Sequence, residues 1–177
     1  MVRNYKKDEK SDSERSTKKW MVRNYFKPGD IGYLTYLHGS VYAKEYGYDY
    51  TFQEYVAKGL AEFVQSFDPN KERIWLVEIK SQIIGFIAIV KNIKREAQLR
   101  WFFVHPNFRG LGIGKYLITE AIEFCKQHKY KTISLWTTSE LKTAHYLYTR
   151  AGFKKTEVKI HEIWGKKVTE ERYELLI

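Results

Sequence analysis

The sequence predicts one α/β domain, of the α+β kind, with about seven strands and four helices. Its 177 residues are 44% hydrophobic and 16% aromatic, which is enough to bury the core of a single domain. Along the chain the apolar residues switch between the period of a strand and the period of a helix. The resulting order is one strand, two helices, three strands, and then helix, strand, helix, strand, strand.

The strands and helices follow from this periodicity and from turn residues between them. Strands are predicted near residues 20–26, 74–79, 83–90, 97–104, 132–137, 153–160 and 172–177. Helices are predicted as two segments between residues 31 and 67, and over residues 112–127 and 141–150. The alternation in residues 74–79 predicts a strand covered on one face, whereas the continuous apolar run at residues 83–90 predicts a strand covered on both.

The domain is expected to span residues 20–177, after a charged tail. Residues 1–19 have mixed charge and almost no apolar side chains, so they predict a flexible segment. The pentapeptide MVRNY occurs at residues 1–5 and again at residues 21–25. One five-residue match is too short to predict a structural repeat.

The cysteine, histidine and apolar content of the sequence limits which compartment and which site chemistry are expected. The lone Cys125 excludes an internal disulfide, and it lies on the apolar stripe of a predicted helix, which indicates a core residue. The five histidines form no ligand-spaced pair, so no metal is predicted. No apolar run is long enough for a membrane span or a signal peptide. A soluble, cytoplasmic protein is the expectation.

The formal net charge is +10, and an excess of six positive charges falls within residues 91–131. A basic segment suits a polyanion, either a nucleic acid or a phosphorylated cofactor, and charge alone does not choose between them. The sequence contains no recognisable helix-turn-helix or RNP pattern. Nucleic-acid binding is therefore the less favoured of the two.

A glycine-rich segment, RGLGIGK at residues 109–115, lies between a predicted strand and a predicted helix. Glycines let the backbone approach an anion, and a helix N-terminus adds unpaired N–H groups and a partial positive charge. The segment does not match a P-loop, because Arg109 stands five residues before Gly114 and Tyr116 follows Lys115. It is not a dinucleotide fingerprint either, because Lys115 occupies the place of the last glycine. The remaining pattern is R-x-x-G-x-G.

This pattern resembles the cofactor loop of the GNAT superfamily of acyl-CoA-dependent N-acetyltransferases. Arg109, Gly112 and Gly114 match its [QR]-x-x-G-x-[GA] motif, and residues 144–153 resemble the late helix and the following GF strand of that family. The resemblance implies a central mixed, mostly antiparallel, twisted sheet. The segments LRWFFV and WTTS, with the tyrosine-rich early helices, resemble GNAT domains that are sometimes fused to MarR-type regulators.

The resemblance also implies acetyl-CoA as cosubstrate and no metal. The residues expected to contact it form the end of the central strand and the loop: Phe103, Val104, Arg109, Gly110, Leu111, Gly112, Ile113, Gly114 and Lys115. The loop amides would bind the pyrophosphate, with Arg109 and Lys115 supplying positive charge. A backbone N–H near Val104 would polarise the thioester carbonyl, an oxyanion-hole role.

The catalytic groups implied are an acid for the departing thiolate and a base for the amine. Tyr148 matches the position where many family members have a tyrosine acid. Gln98 stands where some protein-acetylating members have a glutamate, so Glu96, two residues earlier on the same strand face, is the candidate base. A water chain or a residue of the early helices are the alternatives.

The acceptor is expected to lie against the early helices, where seven of the fourteen tyrosines fall between Tyr33 and Tyr55. Candidate contacts are Tyr33, Glu45, Tyr46 and Trp136. Aromatic faces and carboxylates suit a cationic amine. The function predicted is acetyl transfer to a small-molecule or protein amine; the alternative is a GNAT module that binds acyl-CoA without turnover. Residues 153–177 are expected to form either a homodimer interface or one wall of the acceptor site.

Overall fold

A computed structural model describes residues 20–92 and 95–177, so the predicted tail and the first copy of MVRNY lie outside the described residues. Strands form one seven-stranded sheet: β1 Met21–Arg23, β2 Arg73–Ile79, β3 Gln82–Lys91, β4 Glu96–Val104, β5 Thr132–Thr138, β6 Lys154–Ile163 and β7 Lys166–Leu176. Helices are α1 Asp30–Tyr46, α2 Tyr50–Gln65, α3 Ile113–Gln127 and α4 Lys142–Arg150. The predicted class and the predicted order of elements are confirmed.

The strand order is β1-β2-β3-β4-β5-β7-β6, and every neighbouring pair is antiparallel except β4 and β5, which run parallel. Two hydrophobic clusters cover the two faces of the sheet. Helices α3 and α4 pack on one face through residues such as Leu117 and Tyr148. Helices α1 and α2 pack on the other through residues such as Leu34 and Leu60. The protein is thus a sheet between two helical layers.

Three strands differ from their predicted form. Strand β2 is covered on both faces, because Trp75 and Val77 face one cluster while Ile74 and Leu76 face the other. Strand β1 has only three residues, ending at Arg23. Strand β7 begins six residues earlier than predicted, because its polar first residues pair with β6. Hydrogen-bonded pairing with neighbouring strands sets the lengths of β1 and β7, and the hydropathy of the local sequence does not reveal that pairing.

Cys125 on α3 is fully buried, which confirms the predicted core role, and burial raises the pKa of its thiol to about 12. A thiol with so high a pKa is a poor nucleophile at neutral pH. Within residues 20–92 and 95–177, no helix has the length and hydropathy needed to cross a membrane.

Strand β4 carries the irregularity that shapes the molecule. Two of its residues, Trp101 and Phe102, stand opposite the single residue Ile87 of β3, and Trp101 has a φ of 50°. This is a β-bulge, which bends a strand and increases its twist. On the other side, β4 pairs with β5 only from Glu96 to Gln98. Beyond that point the two parallel strands diverge, and the sheet opens.

His38 lies in the core beneath this opening. Its side chain is surrounded by aromatic rings and its Nδ1 lies 3.2 Å from the carbonyl oxygen of Leu34. Burial lowers the pKa of His38 to about 4, although the bond to Leu34 opposes the shift. The imidazole is therefore neutral in the folded protein at pH 5 to 7.

A His38→Phe variant is expected to flatten the acid dependence of stability. In the wild type, the unfolded chain gains a proton on His38 below about pH 6.5 while the folded protein does not. The free energy of unfolding therefore decreases as the pH is lowered from 7 to 5. This histidine alone should lower the free energy of unfolding by about 2 kcal/mol between pH 7 and pH 5. Urea unfolding of both proteins at the two pH values measures the difference; equal losses would contradict the buried neutral assignment.

Candidate active site

The glycine-rich loop leads from the end of β4 into α3. Gly110 and Gly112 both have a φ of 80°, a left-handed conformation that costs other residues about 1 to 2 kcal/mol. Gly112 is the N-cap of α3 and makes no side-chain capping bond. The first amides of the helix are thereby left for another acceptor, in the arrangement that binds phosphate groups.

A cleft of about 380 Å³ lies beside this loop, within the range of about 300 to 1,000 Å³ that is usual for ligand pockets. It is lined by the loop, the end of β4 and one face of α4. Because β4 has no β5 ladder partner after Gln98, its backbone groups on that side are available to an extended ligand. We call this the cofactor cleft.

Arg109 does not point freely into solvent. Its two terminal nitrogens donate to both carboxylate oxygens of Glu45 on α1, at 3.0 and 2.9 Å, and its Nε donates to the Val104 carbonyl at 3.3 Å. Two parallel bonds of this kind fix the plane of the guanidinium. Glu45 thus holds Arg109 at the border of the cofactor cleft.

A second cavity, of about 110 Å³, lies in the split between β4 and β5. Nine of its lining residues are aromatic: Tyr42, Tyr48, Phe52, Tyr55, Trp101, Phe102, Trp136, Tyr148 and Trp164. It shares one wall with the cofactor cleft, formed by Tyr42, Phe102, Leu141 and Ala144. A group bound in this cavity, which we call the acceptor cavity, therefore lies next to the end of a ligand in the cleft.

Tyr148 on α4 lines the acceptor cavity close to that shared wall. Its ring lies 5.7 Å from the ring of Phe102, and the side chain is 4% exposed. Burial, assisted by Tyr42, raises the pKa of its phenol well above the ordinary value. Tyr148 is therefore protonated at every working pH and can donate a hydrogen bond there.

Comparison with known proteins supports what this geometry indicates. A model of the acetyltransferase (GNAT) family matches residues 37–153, which include the second half of α1, the sheet from β2 to β5 and the glycine-rich loop. The chain belongs to the GNAT acetyltransferase family.

Relatives of this GNAT chain include an uncharacterized N-acetyltransferase of Methanocaldococcus jannaschii, 38% identical over 95 residues, and an N-acetylaspartate synthetase of Xenopus tropicalis, 34% identical over 90 residues. Each alignment covers 50% of this chain, and 42% and 33% of the respective relative. The chain thus spans less than half of the length of these two proteins.

Solved GNAT structures share the fold. An acetyltransferase from Staphylococcus aureus Mu50 has a TM-score of 0.72 at 21% identity, over 89% of this chain and 98% of that one. Spermidine N-acetyltransferase from Vibrio cholerae, solved with CoA and spermine, has a TM-score of 0.67 at 21% identity, over 89% and 95%. The predicted GNAT sheet and helices are therefore confirmed.

The structure gathers most of the residues singled out in the sequence, but not all of them. Those lining the cofactor cleft are Tyr46, Phe103, Val104, Arg109, Gly110, Gly112, Ile113, Gly114 and Lys115. Leu111 is not among the cleft-lining residues and its side chain is exposed. Trp136 and Tyr148 line the acceptor cavity.

Four expected site residues line neither cavity: Leu111, Glu45, which instead pairs with Arg109, and also Glu96 and Tyr33. One carboxylate oxygen of Glu96 accepts bonds from Ser134 at 2.6 Å and Arg172 at 3.1 Å, which commits it to the base of the sheet where β4 still pairs with β5. The Tyr33 hydroxyl accepts a bond from Gln82 at the far end of α1.

The acceptor cavity also contains residues to which the sequence assigned no role, among them His38, Arg100 and Glu170. Trp164 and Glu170 belong to the β6–β7 hairpin, which was expected to form either a dimer interface or a wall of the acceptor site. The ring of Trp164 lies 4.8 Å from that of Phe52 on α2. The hairpin therefore forms a wall of the cavity, which is one of the two roles expected for residues 153–177.

Proposed function

We propose that this protein transfers the acetyl group of acetyl-CoA to an amine that binds in the acceptor cavity. The observation that carries this proposal is the meeting of two cavities in one split of the sheet. One has a glycine-rich helix N-terminus and an open strand edge, which fit a pyrophosphate and an amide-containing arm. The other is small, aromatic and adjacent.

The chain's own residues would hold acetyl-CoA through backbone groups. The first amides of α3 would bind the pyrophosphate, Arg109 and Lys115 would add positive charge, and the free edge of β4 beyond Gln98 would bind the pantetheine arm. The thioester supplies an activated acetyl group. An N–H near Val104 would stabilise the charge that develops on its carbonyl oxygen.

The reaction would proceed in a ternary complex. The nitrogen of a neutral amine attacks the carbonyl carbon, a C–N bond forms, and the C–S bond breaks. The amine proton must leave to a base, and the thiolate must receive a hydrogen bond or a proton. Tyr148 is the donor close to the shared wall, and burial keeps it protonated until the sulfur departs.

The base that best fits the structure is Glu170 rather than Glu96. Glu170 is the one carboxylate among the described residues that line the acceptor cavity. Burial raises the pKa of this carboxyl, while nearby His161 and Lys159 act in the opposite sense. A raised pKa makes the carboxylate a better proton acceptor.

The acceptor itself does not follow from similarity. The names of the relatives include N-acetylaspartate synthetase and spermidine N-acetyltransferase, and aspartate and spermidine differ in charge. The alternative, a domain that binds acyl-CoA without turnover, is favoured by Gln98, which lines the acceptor cavity and cannot take a proton. Measured turnover separates the two functions. A cytoplasmic location, a homodimer and the likeness to MarR-fused domains stay predictions.

A Gly112→Glu variant is expected to lose acetyl-CoA binding, because it places bulk and negative charge at the first amides of α3. Calorimetric titration should show saturable 1:1 binding by the wild type and a loss of at least about tenfold in the variant. Gly112→Asn is the matched control, since neutral asparagine tolerates the left-handed conformation. Absence of binding by folded wild-type protein would overturn the proposed function.

A Tyr148→Phe variant is expected to lower kcat by about 10² to 10⁴, the usual contribution of a positioned acid. CoA release with the best acceptor from an amine panel measures the effect. Tyr130→Phe serves as control, because it removes another buried phenol, bonded to the Lys71 carbonyl and outside both cavities. Equal kcat for Tyr148→Phe and wild type would exclude the donor role.

The profile of kcat against pH is expected to fall on the acid side as Glu170 becomes protonated. Because burial raises its pKa, the fall should begin above the range of an ordinary glutamate, near 4.3. Glu170→Gln should have a low kcat and lack this limb. A variant that keeps both the wild-type kcat and its acid limb would show that the base lies elsewhere.

A further inference from the structure

Arg100 on β4 contacts two aromatic rings and forms no ion pair with a described carboxylate. Its Cζ lies 4.6 Å from the ring of Trp101 and 5.6 Å from the ring of Tyr55, and one terminal nitrogen donates to the Tyr55 hydroxyl at 3.2 Å. The ion pairs formed within residues 20–92 and 95–177 include Arg23, Arg109 and Arg172, but they give Arg100 no carboxylate. Arg100 thus lines the acceptor cavity without a carboxylate partner among the described residues.

The fold makes specific room for this guanidinium. Helix α2 has a glycine, Gly59, at the point where it crosses β4. A Cβ at that position would lie 2.9 Å from a terminal nitrogen of Arg100 and 3.1 Å from the Trp101 ring. Glycine inside a helix costs roughly 1 kcal/mol relative to alanine. A side chain there would displace the end of Arg100 and press on the Trp101 ring, so the glycine favours the close approach of Arg100 to α2.

Two further polar groups of the same cavity lack a partner. The Trp101 Nε1 and the Thr137 Oγ1 are buried, and neither forms a hydrogen bond with any described residue. Both side chains are more than nine-tenths buried, and both residues line the acceptor cavity. Buried polar groups are rarely left unpaired, because each costs free energy when it loses water. Trp Nε1–H is a donor only, and Thr can also donate.

These observations together indicate the charge of the acceptor that binds in this cavity. One small cavity is lined by a guanidinium that has no carboxylate partner and by two residues with an unpaired buried polar group, and a planar carboxylate matches the guanidinium fork. We propose that the acceptor is an amine that carries a carboxylate, and that Arg100 binds this carboxylate. Glu170, on the hairpin wall of the cavity and 3.1 Å from the Nε2 of His161, would face the amine. This inference rests on the proposed function and names the class of its acceptor.

Matched pairs of amines test the inference. The pairs are L-leucine and L-leucinamide, L-phenylalanine and its amide, and 4-aminobutyrate and its amide, each with acetyl-CoA. The wild type is expected to acetylate one or more of the acids with a kcat/KM about 10 to 100 times that of the matching amide. The amides of the two α-amino acids have the less basic amines, so amine protonation biases those two pairs against this result.

Arg100→Gln is expected to bring the acid-to-amide ratio close to one by raising KM for the acid, with an unchanged KM for acetyl-CoA. The acid-to-amide ratio of Arg100→Lys should lie between those of the wild type and Arg100→Gln, because lysine keeps the charge without the planar fork. The control is Arg73→Gln, which removes another ring-stacked arginine, 4.8 Å from the Phe124 ring and outside both cavities. A ratio near one in the wild type, or a ratio that survives in Arg100→Gln, would overturn the inference.

A binding measurement separates this inference from the proposed function. Three tryptophans line the acceptor cavity, so intrinsic fluorescence reports its occupation. N-acetyl-L-leucine should bind the CoA-loaded wild type at least about tenfold more tightly than N-acetyl-L-leucinamide, and Arg100→Gln should remove that preference. Binding of acetyl-CoA with no preference for N-acetyl-L-leucine over N-acetyl-L-leucinamide would overturn the inference alone. Failure to bind acetyl-CoA would overturn the proposed function.

Discussion

The divergence of β4 from β5 is the constraint on which the rest of the site depends. The two strands share three register pairs and then separate, and β4 next carries the bulge at Trp101 and Phe102, a feature that bends a strand and increases its twist. A continuous sheet would have paired these backbone groups and filled the space with side chains. The separation instead leaves one open strand edge and two adjoining cavities in the middle of a folded core.

A split in a sheet is stable only where other elements cover it. Here α1, α2 and the β6–β7 hairpin do so through aromatic contacts: the Trp164 ring lies 5.1 Å from Tyr48 and 4.8 Å from Phe52. The backbone N–H of Asp49 also donates to the Trp164 carbonyl at 3.0 Å. Large aromatic rings bury much surface area with little loss of rotamer freedom. They therefore cover the split while forming rigid walls around the cavity. The tyrosine-rich early segment therefore serves both packing and the acceptor wall.

The sequence predicted what is local and missed what depends on pairing across the sheet. Gly110 and Gly112 indicated an anion-binding loop because positive φ and helix capping are properties of adjacent residues. Glu96 was placed by strand alternation, which gives the correct face of β4 but not the distance to the split. The bond from Ser134 shows that Glu96 lies below the point where the strands part. Arg100 and Glu170 meet in one cavity only through the register of β4, β5 and β7, and no local pattern reports that register.

Burial also decides which charges the acceptor cavity presents. It raises the pKa of the phenols of Tyr42, Tyr48 and Tyr148 and lowers that of the His38 imidazole, so all four groups are neutral at working pH. Among the described lining residues this leaves one cation, Arg100, and one carboxylate, Glu170. A cavity whose walls carry one charge of each sign, in a low-dielectric aromatic surrounding, interacts best with a ligand that carries the opposite pair. An amine with a carboxylate is such a ligand, whereas a polycation would leave Arg100 facing a like charge.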